Sequence, residues 1–533
     1  MISKLVQFLP SLLFIAIAIP YIERPGVQYD EILYGNAALG NLDGTFVRKD
    51  IFGFPVLLMT YIGALKAYFY YPIFKLFGVS ALTIRLPMII VSALGIQFLY
   101  SIYKQLGVTF ALVLSVLFAL QPSLVMYARA DVGPIVIETF LKLAVLSVLV
   151  SAYLESTNRK IILLAALCLL GVFNKLNFIW FVNATMGAFL IVVFFQIAHH
   201  FIRTRLLDIT SVRSLVAGVL VYAPSLMYFL VINYVYQLSS AFKFTQFLDE
   251  FPVKVNQFYE VLTGASFSRY AIGLPVNEYG KLFVLYSVLV VGGGVVCFAF
   301  GGERLKDFRI PYVFLVLTGL LVVVQVFYTG MATNPWHALS LEPIYSIVVG
   351  LSVWAVYVFV DSRRGYRVYK ILVYSIVCVF AFFNGSFIYR NYKSIRDDDG
   401  RANWSTSIHD LIEYVNTNEG VFYSADWGFH TQLITFIQDH DKVKDVLPFM
   451  KWSRFSEKRY QFERDIFEVS DSPVFFIFHL DSVATFPEIK SDLIALAARS
   501  NAELAMHKQF VDSRERIRYE IFLLSPMTMV SPD

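Results

Sequence analysis

The chain is predicted to be mainly α: a polytopic transmembrane protein of about eleven spans with a C-terminal α/β domain at 391–533. Three observations predict this class. Hydrophobic residues make up 57% of the 533 and charged residues only 16%, whereas soluble proteins carry about 25% charge. The apolar residues gather in long runs before residue 390, each near the ~20 residues that carry a helix across a bilayer. Beyond residue 390 the charges return among short apolar stretches, as in a soluble domain.

The spans fall at roughly 5–22, 83–103, 108–127, 134–154, 160–174, 177–197, 213–236, 281–300, 310–328, 339–360 and 370–388. Inside the hydrocarbon layer the backbone must satisfy its own hydrogen bonds, so helices are the expected spanning elements. The first run follows Lys4 and has no small-x-small cleavage site at Ile19, Pro20 and Tyr21, so it reads as an uncleaved span. Four basic loops then fall on one face: Arg159 and Lys160; Arg203, Arg205 and Arg213; Arg304, Lys306 and Arg309; Arg363, Arg364, Arg367 and Lys370. The positive-inside rule makes that face and the N-terminus cytoplasmic. This leaves about 23–82, about 237–280 and the C-terminal domain on the extracytoplasmic side. The first of these segments, with Tyr61, Leu65, Tyr68, Phe69, Ile73 and Phe74, reads as short helices on the membrane surface.

The tail alternates in type. Helices are predicted at 408–415, 431–438 and 482–498, and strands at 421–424, 474–478 and 517–524. The net charge of +4 is small for the length and gives no reason to expect nucleic acid. Cys168, Cys297 and Cys378 all lie in apolar runs, so no disulfide is expected in the tail.

Candidate chemistry concentrates on the outer face. Tyr29-Asp30-Glu31 opens the first outer segment, and Asp131 follows the third span in Arg129-Ala130-Asp131. Either position alone suits a solvated turn, but together they place carboxylates at two neighbouring span mouths, where ionisable groups mark function. No Gly-rich phosphate loop and no Cys/His metal spacing is present. Asp426-Trp427-Gly428 stands between a predicted strand and helix, a place that suits either a ligand or a plain helix start.

The Asp30-Glu31 pair, the stretch Lys66 to Pro87, Arg129-x-Asp131 and Asn334-Pro335-Trp336-His337 with Glu342-Pro343 together resemble the GT-C superfamily of glycosyltransferases. The likeness is to the branch of dolichyl-phosphate-mannose protein mannosyltransferases and bacterial lipid A aminoarabinose transferases. It covers about the first 180 residues. The resemblance implies a sugar donor on a polyprenyl phosphate, a lipid, glycan or protein acceptor, and a bacterial inner-membrane location. No further cofactor is implied, and a divalent metal is not expected.

By the same resemblance, an acid of the first outer loop acts as general base. Asp30 and Glu31 both fit, and Asp131 shapes the site. Cations that neutralise the departing phosphate are then Lys66, Arg129, Lys175 and His337. Lys66 stands where relatives have a lysine before two prolines, here Ala67 and Tyr68. Lys175 also suits a snorkelling interfacial lysine, and His337 with Trp336 suits an aromatic belt. Tyr29, Arg269, Tyr270 and Trp336 are further substrate-binding candidates. Arg85 reads equally as a headgroup anchor. A transporter or flippase and a non-catalytic assembly protein are the competing classes.

Overall fold

The computed structural model describes residues 5–526, apart from 41–48, 60, 205–208, 237–246, 274–278, 330–334, 362–365, 399, 402–403, 438, 451–461, 465, 467–471 and 481. Arg205, Asn334, Arg363 and Arg364 lie outside the described residues, as do the side chains of Trp336, Arg367 and Lys370.

The chain begins with α1 (Leu9–Ala18), α2 (Tyr29–Leu39), the hairpin β1 (Lys49–Ile51) and β2 (Phe54–Leu57), and α3 (Leu65–Phe77). The long helices follow: α4 (Ala81–Tyr103), α5 (Val108–Ala119), α6 (Pro122–Arg129), α7 (Ile135–Leu154), α8 (Asn158–Asn174), α9 (Ile179–Thr204) and α10 (Ile209–Tyr236). Then come α11 (Phe247–Leu262), α12 (Tyr279–Phe300), α13 (Lys306–Tyr328), α14 (Glu342–Asp361) and α15 (Tyr366–Asp397). Every expected span corresponds to a helix, but not all are alike. Eight helices among the described residues are long and apolar enough to cross a membrane, and nine if a bent pair counts as one span. That pair is α5 and α6, bent by 56°. Pro122, which has no N–H to continue the α5 ladder, starts the second half. The α1 and α8 runs give shorter helices of 10 and 17 residues.

Within the segment expected to lie on the membrane surface, α3 leaves Tyr68, Phe69, Leu76 and Phe77 exposed, whereas α2 is an interior element. Ile32, Leu33, Tyr34 and Asn36 are each at most 1% exposed. The β1–β2 hairpin was not expected from the sequence either.

Beyond α15 the chain forms α16 (Ile408–Thr417), β3 (Val421–Ser424), α17 (Phe429–Phe436), β4 (Val443–Asp445), β5 (Val474–His479), α18 (Glu488–Arg499), β6 (Ala502–Val511) and β7 (Ile517–Pro526). The sheet order is β4-β3-β5-β7-β6. Strands β4, β3 and β5 are parallel, and β7 and β6 are antiparallel to their neighbours. Strand β5 is buried along its whole length. Phe475 and Ile477 join the core under α16, while Val474, Phe476 and Phe478 join the core under α18, which is why it reads as an unbroken apolar run. Helix α18 starts six residues later than expected, just after Pro487.

This α/β layer packs onto α2. Asn36 Nδ2 donates to Thr431 O at 2.8 Å, and Thr435 Oγ1 donates to Asn36 Oδ1 at 2.9 Å. Gln432 Nε2 donates to Val27 O at 2.7 Å. A Cβ on Gly26 would lie 2.2 Å from Ser405 O, so only glycine lets the two backbones meet there.

Candidate active site

Helix α2 begins where Gln28 accepts the Asp30 N–H at 2.7 Å through its side chain. Asp30 and Glu31 therefore sit in the first turn, where the helix dipole favours negative charge. Consecutive helical residues point about 100° apart, so the two acids serve different neighbours.

Glu31 points into the helical body. Arg85 on α4 meets it in a two-pronged pair, Nε to Oε2 at 3.2 Å and Nη2 to Oε1 and Oε2 at 3.2 and 3.0 Å. Arg85 also donates to the carbonyls of Ile22, Pro25 and Gly26. The headgroup-anchor reading of Arg85 is thus corrected: it is 1% exposed and ties the loop before α2 to α4.

Lys66 and Asp131 form a second buried pair, Nζ to Oδ2 at 2.7 Å. Lys66 also donates to the carbonyls of Asp131 (3.2 Å) and Gly133 (3.4 Å), which engages all three of its protons. It lies 4.4 Å from the centre of the Tyr34 ring. The other Asp131 oxygen accepts the N–H groups of Ile135 and Val136 and so caps α7.

A third cluster lies on α7, where Glu138 and Lys142 pair at 2.5 Å. Lys175 stands 3.8 Å from Glu138. The Lys175 Nζ is buried without a hydrogen-bond partner among the described residues. The bridge from Ile62 to Lys175 and the hydrogen bond from Gly63 N to Asn174 O fix its backbone. His337 is 3% exposed, and neither ring nitrogen has a hydrogen-bond partner among the described residues. The Tyr61 ring lies between them, 6.0 Å from Lys175 Nζ and 5.9 Å from the His337 ring. Burial pushes His337 well below the usual histidine range, and the neighbouring Lys175 and Lys254 push it further, so its ring is neutral.

Asp30 is half-buried beside these clusters. Burial raises its carboxyl to about 6 despite the pull of Lys175 and Lys66. Tyr29, next to it, meets Trp427 of the α/β layer edge-on at 5.8 Å. Tyr270 is also an electrostatic neighbour of Asp30 and is 42% exposed.

Asp30, Glu31, Lys66, Asp131, Lys175 and His337 are therefore brought together, with Tyr29 and Tyr270 at the open edge. Two cations turn elsewhere. Arg129 donates to Tyr21 O and Arg24 O and lies 4.9 Å from the Tyr392 ring, supporting the entry loop. Arg269 is 59% exposed and pairs with Glu260. Asp426 is occupied within its own layer by His479 and the N–H groups of Thr485 and Phe486.

The sequence reading missed Glu138, Lys142 and Tyr34. The first two carried a signal: opposite charges four apart in an otherwise apolar run. Tyr34 is four residues after Asp30, hence on the same helix face. Among the described residues no group of three or more His, Cys, Asp or Glu is placed to hold a metal ion.

Four cations (Arg85, Lys66, Lys142, Lys175) face four carboxylates (Glu31, Asp131, Glu138, Asp30). With Asp30 ionised this cluster is neutral.

The chain shares the fold of ArnT. It aligns with the crystal structure of ArnT from Cupriavidus metallidurans bound to undecaprenyl phosphate at TM-score 0.52 and 13% identity, over 98% of this chain and 96% of that one. The apo structure of the same protein aligns at TM-score 0.52 and 13% identity, over 98% and 99%. The correspondence includes the C-terminal α/β layer as well as the membrane helices. No protein-family model and no curated protein matches the sequence.

Proposed function

We propose that the chain is a membrane glycosyltransferase that moves a sugar from a polyprenyl-phosphate donor to an acceptor hydroxyl, with Asp30 as general base. The observation that carries this reading is the contrast among the buried acids. Glu31, Asp131 and Glu138 are each held by a cation at 2.5–3.0 Å. Asp30 alone combines partial exposure with a carboxyl raised to about 6, the condition of a base that works near neutral pH. The fold shared with a protein crystallised with undecaprenyl phosphate points to the donor class.

In this mechanism the acceptor hydroxyl gives its proton to Asp30 as its oxygen attacks the anomeric carbon. The bond from that carbon to the phosphate oxygen breaks, and the lipid phosphate leaves with the electron pair. Lys175 and His337 receive it: neither has a side-chain hydrogen-bond partner among the described residues, and Lys175 keeps only a 3.8 Å ion pair with Glu138. Lys66 and Asp131 fix the loop between α6 and α7, and Glu31 with Arg85 fixes the entry to α2. The acceptor is a hydroxyl of a lipid, glycan or protein. In this reading the site faces the extracytoplasmic side of a bacterial inner membrane, an orientation that the placement of the basic loops supports.

The test is sugar transfer by the purified protein in liposomes, followed as release of polyprenyl phosphate. Asp30→Asn is expected to lower the rate by at least about a hundredfold. Transfer at the unaltered rate would overturn the assignment.

A further inference from the structure

Buried polar groups in folded proteins are nearly always paired. Beside Asp30 this rule fails repeatedly in one place. Among the described residues, Tyr34 Oη, Asn174 Oδ1, Lys175 Nζ, both amide atoms of Asn177 and both ring nitrogens of His337 are buried without a hydrogen-bond partner. The five residues are each at most 4% exposed. Two of them meet directly: a Cβ built on Gly133 would have Lys175 Nζ (3.9 Å) and Tyr34 Oη (4.0 Å) near it. Asn174 and Asn177 flank Lys175 in the chain, and the His337 ring lies 6.0 Å from Trp180 and 5.9 Å from Tyr61. Such a concentration marks a site that a polar ligand completes.

The chemistry of the unpaired atoms is selective. They include acceptors (the two amide oxygens), donors (the Asn177 amide and the Lys175 ammonium) and groups that do both (the Tyr34 hydroxyl and the neutral His337 ring). Hydroxyl groups, which donate and accept, match that mixture. An ammonium group has no acceptor capacity and leaves the Asn177 amide and Lys175 ammonium donors unsatisfied. The acids that flank these groups are already paired: Glu31 with Arg85, Asp131 with Lys66 and two backbone N–H groups, Glu138 with Lys142 and Lys175. A cationic sugar would instead bring a second positive charge beside the Lys175 ammonium, whose partner Glu138 is shared with Lys142.

From this juxtaposition we infer that the transferred sugar is a neutral, hydroxyl-rich glycosyl group and not an amino sugar. The inference rests on the donor reading above.

The experiment uses the full chain in nanodiscs and three probes: undecaprenyl phosphate, its hexosyl ester and its aminopentosyl ester. Affinities are read by competition and native mass spectrometry. The hexosyl ester is expected to bind at least tenfold more tightly than the aminopentosyl ester. Asn177→Asp, which puts a carboxylate among the unpaired groups, is expected to narrow or reverse that ratio. An aminopentosyl ester that binds the unaltered protein as tightly as the hexosyl ester overturns the inference, as does an unchanged ratio in N177D. Failure of undecaprenyl phosphate itself to bind overturns the donor reading instead, so the two failures are distinct.

Discussion

Replacing Asp30 with Asn is expected to abolish transfer while making the protein more stable at neutral pH. The carboxyl lies at about 6 rather than its ordinary 3.8, because burial outweighs the attraction of Lys175 and Lys66. A folded-state value above the unfolded one means that the folded chain holds this proton more tightly. Ionising Asp30 therefore costs folding free energy, nothing at low pH and progressively more as pH rises from about 4 to about 6. Roughly two pKa units correspond to about 3 kcal/mol at pH 7.5. Asn has the same shape and never ionises, so D30N recovers up to that amount. Thermal unfolding of both proteins in detergent should show D30N melting higher at pH 7.5, with the gap closing toward pH 4.5. The same carboxyl must be ionised to take a proton. The kcat/KM profile of the unaltered enzyme should accordingly fall about tenfold per unit below pH 6. In Lys175→Met the strongest attractive charge on Asp30 is gone, so the acid limb should move up by about a unit. A profile flat from pH 5 to 8, or a D30N protein less stable than wild type at pH 7.5, would refute the reasoning.

Breaking the buried Glu31–Arg85 pair should cost about 3–5 kcal/mol in either Glu31→Gln or Arg85→Met, because one charge is left buried and alone. The double variant should cost less than the sum, as a thermodynamic cycle on detergent-solubilised protein would show. His337→Phe should weaken undecaprenyl phosphate binding by about tenfold, the loss of one hydrogen bond to a charged group, and leave the pH profile of transfer in place. Asn36→Leu removes two buried hydrogen bonds between α2 and the α/β layer. It should destabilise the chain by about 1–3 kcal/mol and increase proteolysis within the linker 398–407.

The membrane class was determined by the sequence alone, because a helix must be apolar over its whole length to cross a bilayer and such runs are visible without knowing any partner. Strand β5 was legible for a related reason, being buried on both faces. Strand β6 was not, since its middle is exposed and its residues alternate weakly. The sequence also placed Asp30, Glu31 and Asp131 at two span mouths, but it left Asp30 and Glu31 interchangeable. Only tertiary structure separated them. Arg85 arrives from 54 positions away to engage Glu31, while Asp30 lies at the open edge beside Tyr29 and Tyr270. Arg129, one of the cations the sequence offered for the phosphate, turns its Nη2 to the carbonyls of Tyr21 and Arg24. Lys175 and His337, 162 residues apart by number, meet around Tyr61. Hydropathy is a property of each segment and survives reading in one dimension. Which buried charge finds a partner depends on distances across the fold, and that choice decides where the chemistry remains free.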